Sequence, residues 1–180
     1  MKHILTFEHI RNSYKKWGSS DNYYKSKKHD YINPHLDRIK NCLDLTISQI
    51  EIGNFLDLGC GNGEITEYLI SRGYTHYKGC DPYFSEIYKN KIGADCLNLS
   101  FEDIAKKGLN EKFDTIFCSY SLHLCDKSYF NNLLYQLSIC CKNLVVISPS
   151  KYPDISDDYF KLKYSNIYNR THLRIYKSNN

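Results

Sequence analysis

A short apolar run that ends in three alternating glycines constrains this chain more than any other feature. The run 55–58 precedes glycines at positions 59, 61 and 63, and residues 64–72 then show helical spacing of apolar side chains. This order predicts a buried strand, a tight turn and the start of a helix. Glycine permits the unusual backbone angles of such a turn and lets a ligand approach the main chain closely. In open α/β sheets, nucleotide-like ligands bind at strand-to-helix turns of this kind.

The glycine spacing and residue 64 narrow the choice of ligand. A dinucleotide fingerprint needs Gly-x-Gly-x-x-Gly, whereas here the glycines alternate and Glu64 follows them. A glutamate at a helix start would repel a pyrophosphate, but it does not conflict with a cationic or zwitterionic ligand. The stretch resembles motif I of the class I S-adenosylmethionine-dependent methyltransferases, an acid followed by x-Gly-x-Gly-x-Gly, which Asp57, Gly59, Gly61 and Gly63 match in full. The alternative is an ordinary α/β turn that happens to be rich in glycine.

Length and composition are typical of one globular domain. The chain has 180 residues, of which 42% are hydrophobic and 24% charged, and its eight cysteines contain no Cys-x-x-Cys pair. The cysteines therefore favour buried thiols in a reducing compartment, and no metal is expected. Because the chain has neither a bilayer-length apolar run nor the apolar segment of a signal peptide, we expect an intracellular, cytoplasmic protein without a membrane partner, with the nucleus as an open alternative.

Strand-like and helix-like patterns alternate from residue 54 to residue 149, which predicts a parallel sheet covered by helices. Strands are predicted at 54–58, 76–81, 95–99, 113–119 and 143–148, and helices at 34–50, 62–72, 83–91, 101–107 and 127–140. Residues 159–168 and 171–177 predict an antiparallel hairpin at the sheet edge. In its second strand, Leu173 and Ile175 alternate with Arg174 and Tyr176, which is typical of a half-buried strand.

The resemblance implies an α/β fold, the three-layer αβα Rossmann-like methyltransferase fold. Its sheet is seven-stranded and mostly parallel, with the order 3-2-1-4-5-7-6 and an antiparallel C-terminal strand 7. The five predicted strands and the hairpin supply that number, with a shortened crossover helix before strand 6. We therefore predict one methyltransferase domain over residues 1–180, with an N-terminal lid or extension at 1–33 and the Rossmann-like core at 34–177.

The resemblance also implies S-adenosylmethionine as the cofactor. Asp81 ends the second predicted strand, where an acid in this family accepts both ribose hydroxyls; a carboxylate offers acceptors to both. The alternative is a turn aspartate before Pro82. Asp57 is expected to anchor the loop of alternating glycines at residues 59–63, called the glycine loop below. It is also expected to face the cofactor's ammonium group, directly or through water. Further cofactor contacts are expected from Gly59, Cys60, Gly61, Pro82, Ser100, Phe101, Glu102, Ser119 and Tyr120.

Ser100 and the stretch after the fourth strand depart from common family patterns. Ser100 stands where an aspartate is frequent, which leaves the adenine contact open, and Glu102 has the alternative role of a first-turn helix acid. Residues 113–123 resemble motif IV and its loop, but they lack the Asn/Asp-Pro-Pro-Tyr signature of many enzymes that methylate exocyclic amines of bases. His123 in this loop is a candidate general base. Its alternative role is that of a packing residue.

Both ends of the chain are basic. Residues 1–40 hold nine Lys and Arg against four acids, residues 41–150 nine against thirteen, and residues 151–180 six against three. This asymmetry favours an anionic substrate or partner such as RNA, although lysine-rich ends can also serve solubility alone. Candidate substrate residues lie in the aromatic and basic flanks and after the fifth strand: Tyr24, Tyr31, His35 and Lys151.

The prediction is therefore an S-adenosylmethionine-dependent methyltransferase that transfers a methyl group to a heteroatom. RNA or a nucleotide is favoured over a small metabolite as the acceptor. The alternative is a non-catalytic methyltransferase-like subunit that binds or activates a partner. The intact motif I and Asp81 argue against it, because a scaffold needs neither.

Overall fold

The computed structural model describes residues 33–180, in which helices and strands alternate as far as residue 148. The helices are α1 (Leu36–Gln49), α2 (Glu64–Ser71), α3 (Ser85–Ile92), α4 (Phe101–Lys107) and α5 (Lys127–Cys140), with a 3-10 helix at Leu122–Leu124. The strands are β1 (Phe55–Leu58), β2 (Tyr77–Cys80), β3 (Cys96–Leu97), β4 (Phe113–Ser119), β5 (Cys141–Ser148), β6 (Phe160–Tyr168) and β7 (Thr171–Ser178). Every predicted strand is present, and so is each helix predicted within residues 34–140, although β3 has only two residues and β5 begins directly after α5.

The strands form one seven-stranded sheet in the order β3-β2-β1-β4-β5-β7-β6. β1 pairs in parallel with β2 and β4, and the pairs β2–β3 and β4–β5 are also parallel. β7 runs antiparallel to both of its neighbours, β5 and β6. The predicted fold and its terminal hairpin are confirmed. The carboxyl ends of β1, β2, β4 and β5 therefore meet at one edge of the sheet, which is where ligands bind in open α/β sheets.

Helices cover both faces of the sheet. α1 and α2 pack on the face that carries Phe55 and Phe117, whereas α4 and α5 pack on the face that carries Leu56 and Ile116. Because both faces are buried, β1 and β4 are largely apolar along their length instead of alternating. Residues 149–159, between β5 and β6, form no helix, so the crossover that we expected as a short helix is a loop.

β7 lies inside the sheet, with β6 as the edge strand beyond it. Its alternating pattern predicted a half-buried strand, but Arg174 and Tyr176 are only 8% and 4% exposed, and Leu173 and Ile175 are each 1% exposed. That expectation was wrong because an interior strand is covered on both faces. Arg174 is consequently a buried cation.

Residues 37–180 form a compact unit, and the predicted division into an extension at 1–33 and a core at 34–177 stays a prediction. No helix in the described part of the chain combines the length and the apolar character needed to cross a membrane.

Candidate functional site

The turn between β1 and α2 holds three glycines with positive φ, 71° at Gly59, 50° at Gly61 and 80° at Gly63. A Cβ on Gly59 would lie 2.8 Å from Ser121 Cβ, and one on Gly63 would lie 2.8 Å from the nearest atom of α3. At Gly61 the nearest atom among residues 33–180 would be Glu64 Oε2, at 3.9 Å. Gly59 and Gly63 therefore permit close packing within the protein. Gly61 instead borders open space, where a ligand can approach the main chain.

Asp57 precedes the glycine loop and is hydrogen-bonded to the first turn of α2, which follows the loop. Its side chain is 1% exposed, and Oδ2 accepts a hydrogen bond of 2.9 Å from the Thr66 hydroxyl, which lies 3.0 Å from the Tyr88 hydroxyl. The main-chain N–H of Thr66 also donates to the carboxylate. Gly63 is the N-cap of α2 and has no side chain to offer, so Asp57 caps the helix from the neighbouring strand. The geometry supports the anchoring role, and a contact with the cofactor's ammonium group stays a prediction.

Burial controls the ionisation of Asp57. Loss of hydration raises the pKa of its carboxyl from 3.8 to about 8, although the hydrogen bonds from Thr66 lower it. The negative charges of Glu64 and Asp81 raise it further. Desolvation outweighs the hydrogen bonds because the carboxylate lies wholly away from water. The folded protein therefore retains this proton at pH values where the unfolded chain has lost it.

Asp81 follows β2 and links that strand to the glycine loop. Its Oδ1 accepts hydrogen bonds from the main-chain N–H groups of Tyr83, at 2.8 Å, and Phe84, at 3.0 Å, and its Oδ2 accepts one from Gly61 at 3.1 Å. Burial raises the pKa of Asp81, and these three bonds lower it. A carboxylate accepts about four hydrogen bonds, so an acceptor position is left beside Gly61. The turn before Pro82 thus orients the carboxylate, and a ribose contact there stays a prediction.

The residues after β3 have two different roles: Phe101 borders the glycine loop, and Ser100 caps a helix. Phe101 Cζ would lie 3.9 Å from a Cβ on Gly59, so the Phe101 ring borders the loop. Ser100 is the N-cap of α4: its hydroxyl accepts from Asp103 N at 3.1 Å and donates to Asp103 Oδ2 at 2.7 Å. Asp103 completes this capping box, and Glu102 is a neighbouring first-turn acid. Cofactor contacts of Ser100 and Glu102 stay predictions.

The end of β4 carries a residue with a strained backbone. Tyr120 has a φ of 53°, which is rare for a bulky side chain. Its N–H donates to Ile147 O at 2.8 Å, and its hydroxyl lies 2.7 Å from Thr171 Oγ1. The preceding Ser119 Oγ is buried and has no hydrogen-bond partner within the described residues. Strain and unsatisfied polar atoms are concentrated at functional sites, so both features support a ligand site here.

Ser121 connects the glycine loop to the end of β4, a role that the sequence analysis missed. Its hydroxyl lies 3.1 Å from Cys118 Sγ and donates to Leu58 O at 3.4 Å. Its side chain fills the space that a Cβ on Gly59 would occupy. The parallel pairing of β1 with β4 brings these residues together. The sequence signal was Gly59 itself, which indicates a close neighbour but cannot identify it.

Arg174 fixes the loop after β5 and was also missed. Its Nη1 donates to the carbonyl oxygens of Lys151, at 2.7 Å, and Pro153, at 2.8 Å, and Nη2 donates to Ser148 Oγ at 3.5 Å. It forms no ion pair with a described carboxylate. A buried cation is costly unless hydrogen bonds replace its hydration, and these bonds do so. Because Arg174 lies on β7, they also tie the loop to that strand. The side chain of Lys151 is exposed and lies over the Tyr152 ring, 5.4 Å from its centroid.

The remaining predicted residues are more dispersed. His123 is exposed in the 3-10 helix after β4, and its role as a base stays a prediction. His35 directly precedes α1, is buried, and donates its main-chain N–H to Asn33 Oδ1 at 2.9 Å. Tyr24 and Tyr31 lie outside the described residues. Within residues 33–180, no three His, Cys, Asp or Glu side chains are grouped to hold a metal ion.

Cys60 turns its side chain away from the open side of the glycine loop. It is 4% exposed and packs with Tyr88 and Cys96, with 3.6 Å between the two sulfur atoms. Its main chain is therefore the part that borders the site. All eight cysteines are buried and free of disulfides, as predicted.

Comparison with known proteins agrees with this geometry. Residues 55–143 match the family model described as a methyltransferase domain. An uncharacterized protein of Schizosaccharomyces pombe is 27% identical in an alignment that covers 69% of this chain and 71% of the relative. The fold and the glycine-loop site define a Rossmann-like methyltransferase. The chain therefore contains a methyltransferase domain, matched over residues 55–143, of the class I S-adenosylmethionine-dependent type.

Two solved structures share the fold. An rRNA methylase from Escherichia coli superimposes with a TM-score of 0.64 and 14% identity, over 97% of this chain and 78% of that chain. Magnesium protoporphyrin IX methyltransferase from Synechocystis PCC 6803, crystallised with bound S-adenosylmethionine, has a TM-score of 0.59 and 12% identity, over 94% and 96% of the two chains. At these identities the likeness concerns the fold alone.

Proposed function

We propose that this chain binds S-adenosylmethionine at the glycine loop and transfers the methyl group to a heteroatom of RNA or a nucleotide. One observation carries the cofactor part of this proposal. Gly61 borders open space, and its N–H is bonded to the Asp81 carboxylate at 3.1 Å. A ligand that lies against the Gly61 main chain is therefore within reach of the acceptor position left on Asp81.

The residues around the loop fit the cofactor in shape and in charge. The main chain of Gly59 and Gly61 would hold its methionine part, and Asp81 would accept hydrogen bonds from its ribose hydroxyls. The Phe101 ring offers an apolar face to adenine. Glu64 and Asp81 are acidic, which suits a ligand that carries positive charge and disfavours a pyrophosphate.

When bound, the cofactor supplies a methyl group that its positive sulfur has already activated. The task of the protein is then to hold the accepting atom in line with that methyl group, which can account for much of the barrier reduction. The ends of β4 and β5 lie at the same sheet edge as the glycine loop, where Ser121 and Arg174 fix their positions. His123 is the candidate to accept a proton from the acceptor.

The choice of RNA or a nucleotide rests on charge. Residues 151–180 hold six Lys and Arg against three acids. Such an excess of cationic side chains favours contacts with the phosphate groups of a nucleic acid. The shared fold with an rRNA methylase is compatible with this choice. The magnesium protoporphyrin IX methyltransferase has the same fold, which keeps a small metabolite as the second candidate.

A radioactive transfer assay tests the acceptor. The protein is incubated with methyl-tritiated S-adenosylmethionine and total RNA, and acid-precipitable counts are measured before and after ribonuclease treatment. We expect ribonuclease-sensitive counts for the wild type and none for Asp81→Ala. Counts that appear only in small molecules of a cell extract would contradict an RNA acceptor. RNA binding that does not change with salt concentration would contradict phosphate contacts.

A further inference from the structure

Glu64 is the acid that borders the open side of the glycine loop. It is the first residue of α2, directly after the N-cap Gly63. Its Oε2 would lie 3.9 Å from a Cβ on Gly61, and apart from the flanking residues no other described heavy atom would lie within 4 Å. The carboxylate of Glu64 is therefore at the rim of the space that a ligand would enter.

Within residues 33–180, Glu64 forms no ion pair of its own. The cation that acts on it, Lys91, lies 2.6 Å from Glu67 Oε2 and donates to Asn62 O at 3.0 Å. The Glu64 side chain is half-buried, and burial raises its pKa, although a hydrogen bond from its own main-chain N–H and the charge of Lys91 lower it. A carboxylate held partly out of water would be stabilised by a cationic group on a ligand.

The other two acids of the loop are already committed. Asp57 is 1% exposed and bonded to Thr66, and burial raises its pKa to about 8, so that its neutral form is favoured at neutral pH. Asp81 accepts three main-chain hydrogen bonds, which hold it at the position expected for ribose recognition. Glu64 is thus the acid whose charge is left for a ligand at Gly61.

We propose that Glu64 is a specificity-determining residue that recognises the α-ammonium group of the cofactor. The inference rests on the proposed binding of S-adenosylmethionine at this loop. It assigns to Glu64 the charge recognition that the sequence analysis expected from Asp57. The same charge disfavours phosphate-bearing ligands at the start of α2.

Ligand variants separate the ammonium group from the sulfonium group. S-adenosylmethionine carries both, S-adenosylhomocysteine carries only the ammonium group, and the deaminated analogue of S-adenosylhomocysteine carries neither. Calorimetry would measure the three ligands against the wild type, Glu64→Gln and Glu86→Gln. Glu86 on α3 is the matched control, because its side chain is 81% exposed.

We expect Glu64→Gln to weaken both amino-bearing ligands by a similar factor of about ten, whereas Glu86→Gln should change affinity by less than about twofold. The deaminated analogue should bind to the wild type and to Glu64→Gln with equal affinity. Glu64→Asp keeps the charge on a shorter side chain, so its affinity for the amino-bearing ligands should lie between those of the wild type and Glu64→Gln. Thermal unfolding of each variant separates lost recognition from lost folding.

Three outcomes would overturn the assignment. Unchanged affinity of Glu64→Gln for both amino-bearing ligands would remove Glu64 from recognition and leave the proposed function standing. A loss confined to S-adenosylmethionine would move the role of Glu64 to the sulfonium. A folded wild type that binds no S-adenosylmethionine would overturn the proposed function together with this inference.

Discussion

Two parts of the candidate site are built from different kinds of contact. The glycine-loop half comprises residues 57–66 and 81–84, and the acceptor half comprises residues 119–124, 148–153 and 171–174. In the first half, carboxylates bond main-chain N–H groups in the turns that follow two neighbouring strands. In the second half, side chains from β7 hold the ends of β4 and β5. The first half can therefore be recognised as a motif, whereas the second depends on the order of strands in the sheet.

The largest effect should come from the contact that joins the halves. Gly59→Ala adds a methyl group that would lie 2.8 Å from Ser121 Cβ, at a φ of 71°. We expect it to lower the free energy of unfolding by about 3 kcal/mol, since overpacking adds to the cost of a positive φ. Urea unfolding measures this change.

Gly93→Ala is the control for Gly59→Ala. Gly93 has a φ of 74°, but no atom of the described residues would lie within 4 Å of its Cβ, so we expect a loss of only about 1 kcal/mol. Adding Ser121→Gly to Gly59→Ala should recover most of the difference. Equal losses at Gly59 and Gly93 would show that the two halves are not in contact there.

The second prediction concerns the acceptor half alone. Arg174→Met removes the donors to the carbonyl oxygens of Lys151 and Pro153. We expect the free energy of unfolding to fall by about 2 kcal/mol, and proteolysis within residues 149–159 to become faster. Affinity for S-adenosylmethionine should stay within about twofold, since Arg174 contacts no part of the glycine loop.

Arg170→Met removes an exposed cation from the neighbouring turn and is the control for Arg174→Met. It should change neither stability nor proteolysis. A large loss of cofactor affinity in Arg174→Met, with folding intact, would contradict the separation into two halves.

The third prediction uses the buried carboxyl group of the glycine-loop half. Asp57 has a pKa of about 8 when folded against an ordinary 3.8, so between these values the folded state holds a proton that the unfolded state lacks. The stabilisation from this proton is complete below pH 3.8. It falls as the pH rises above that value and is gone once the pH has passed about 8. From pH 5 to pH 7, Asp57 should lower the free energy of unfolding by about 1.4 kcal/mol per pH unit.

Urea unfolding of the wild type and Asp57→Asn at pH 5, 6 and 7 measures that slope. Asp57→Asn should show a shallower loss with rising pH, whereas Asp154→Asn, at an exposed carboxyl group, should follow the wild type. If the free energy of unfolding changed equally between pH 5 and pH 7 in the wild type and in Asp57→Asn, a raised pKa at Asp57 would be refuted.

The smallest effect is expected at the end of β4. Tyr120→Phe removes the hydroxyl that lies 2.7 Å from Thr171 Oγ1, and we expect a loss of about 1 kcal/mol in the free energy of unfolding. A double-mutant cycle with Thr171→Val should show losses that are less than additive. Additive losses would mean that the two hydroxyl groups do not stabilise each other.

The sequence predicted the parts of the protein that depend on local patterns. β1, the glycine loop and α2 follow from one apolar run, three glycines and a helical spacing. The strand order came from the family resemblance, and the structure confirms it. Asp81 could be named as a candidate because it directly follows β2, which lies next to β1 in the sheet.

The missing parts depend on contacts between distant segments. Arg174 looked like a residue of an exposed strand face, and its burial follows only from the position of β7 between β5 and β6. Thr66 and Tyr88 support Asp57 from two different helices, and neither carries a recognisable sequence pattern. β3 has two residues, fewer than its apolar run predicted.

Calorimetric titration with S-adenosylmethionine tests the central claim most directly, since it asks whether the glycine loop and Asp81 form one cofactor site. We predict micromolar affinity for the wild type and a loss of about 100-fold in Asp81→Ala, because the carboxylate both orders Gly61 N–H and offers the remaining acceptor. Asp95→Ala, at an exposed carboxyl group before β3, should bind like the wild type. Equal affinity of wild type and Asp81→Ala, or no binding by folded wild type, would contradict the account.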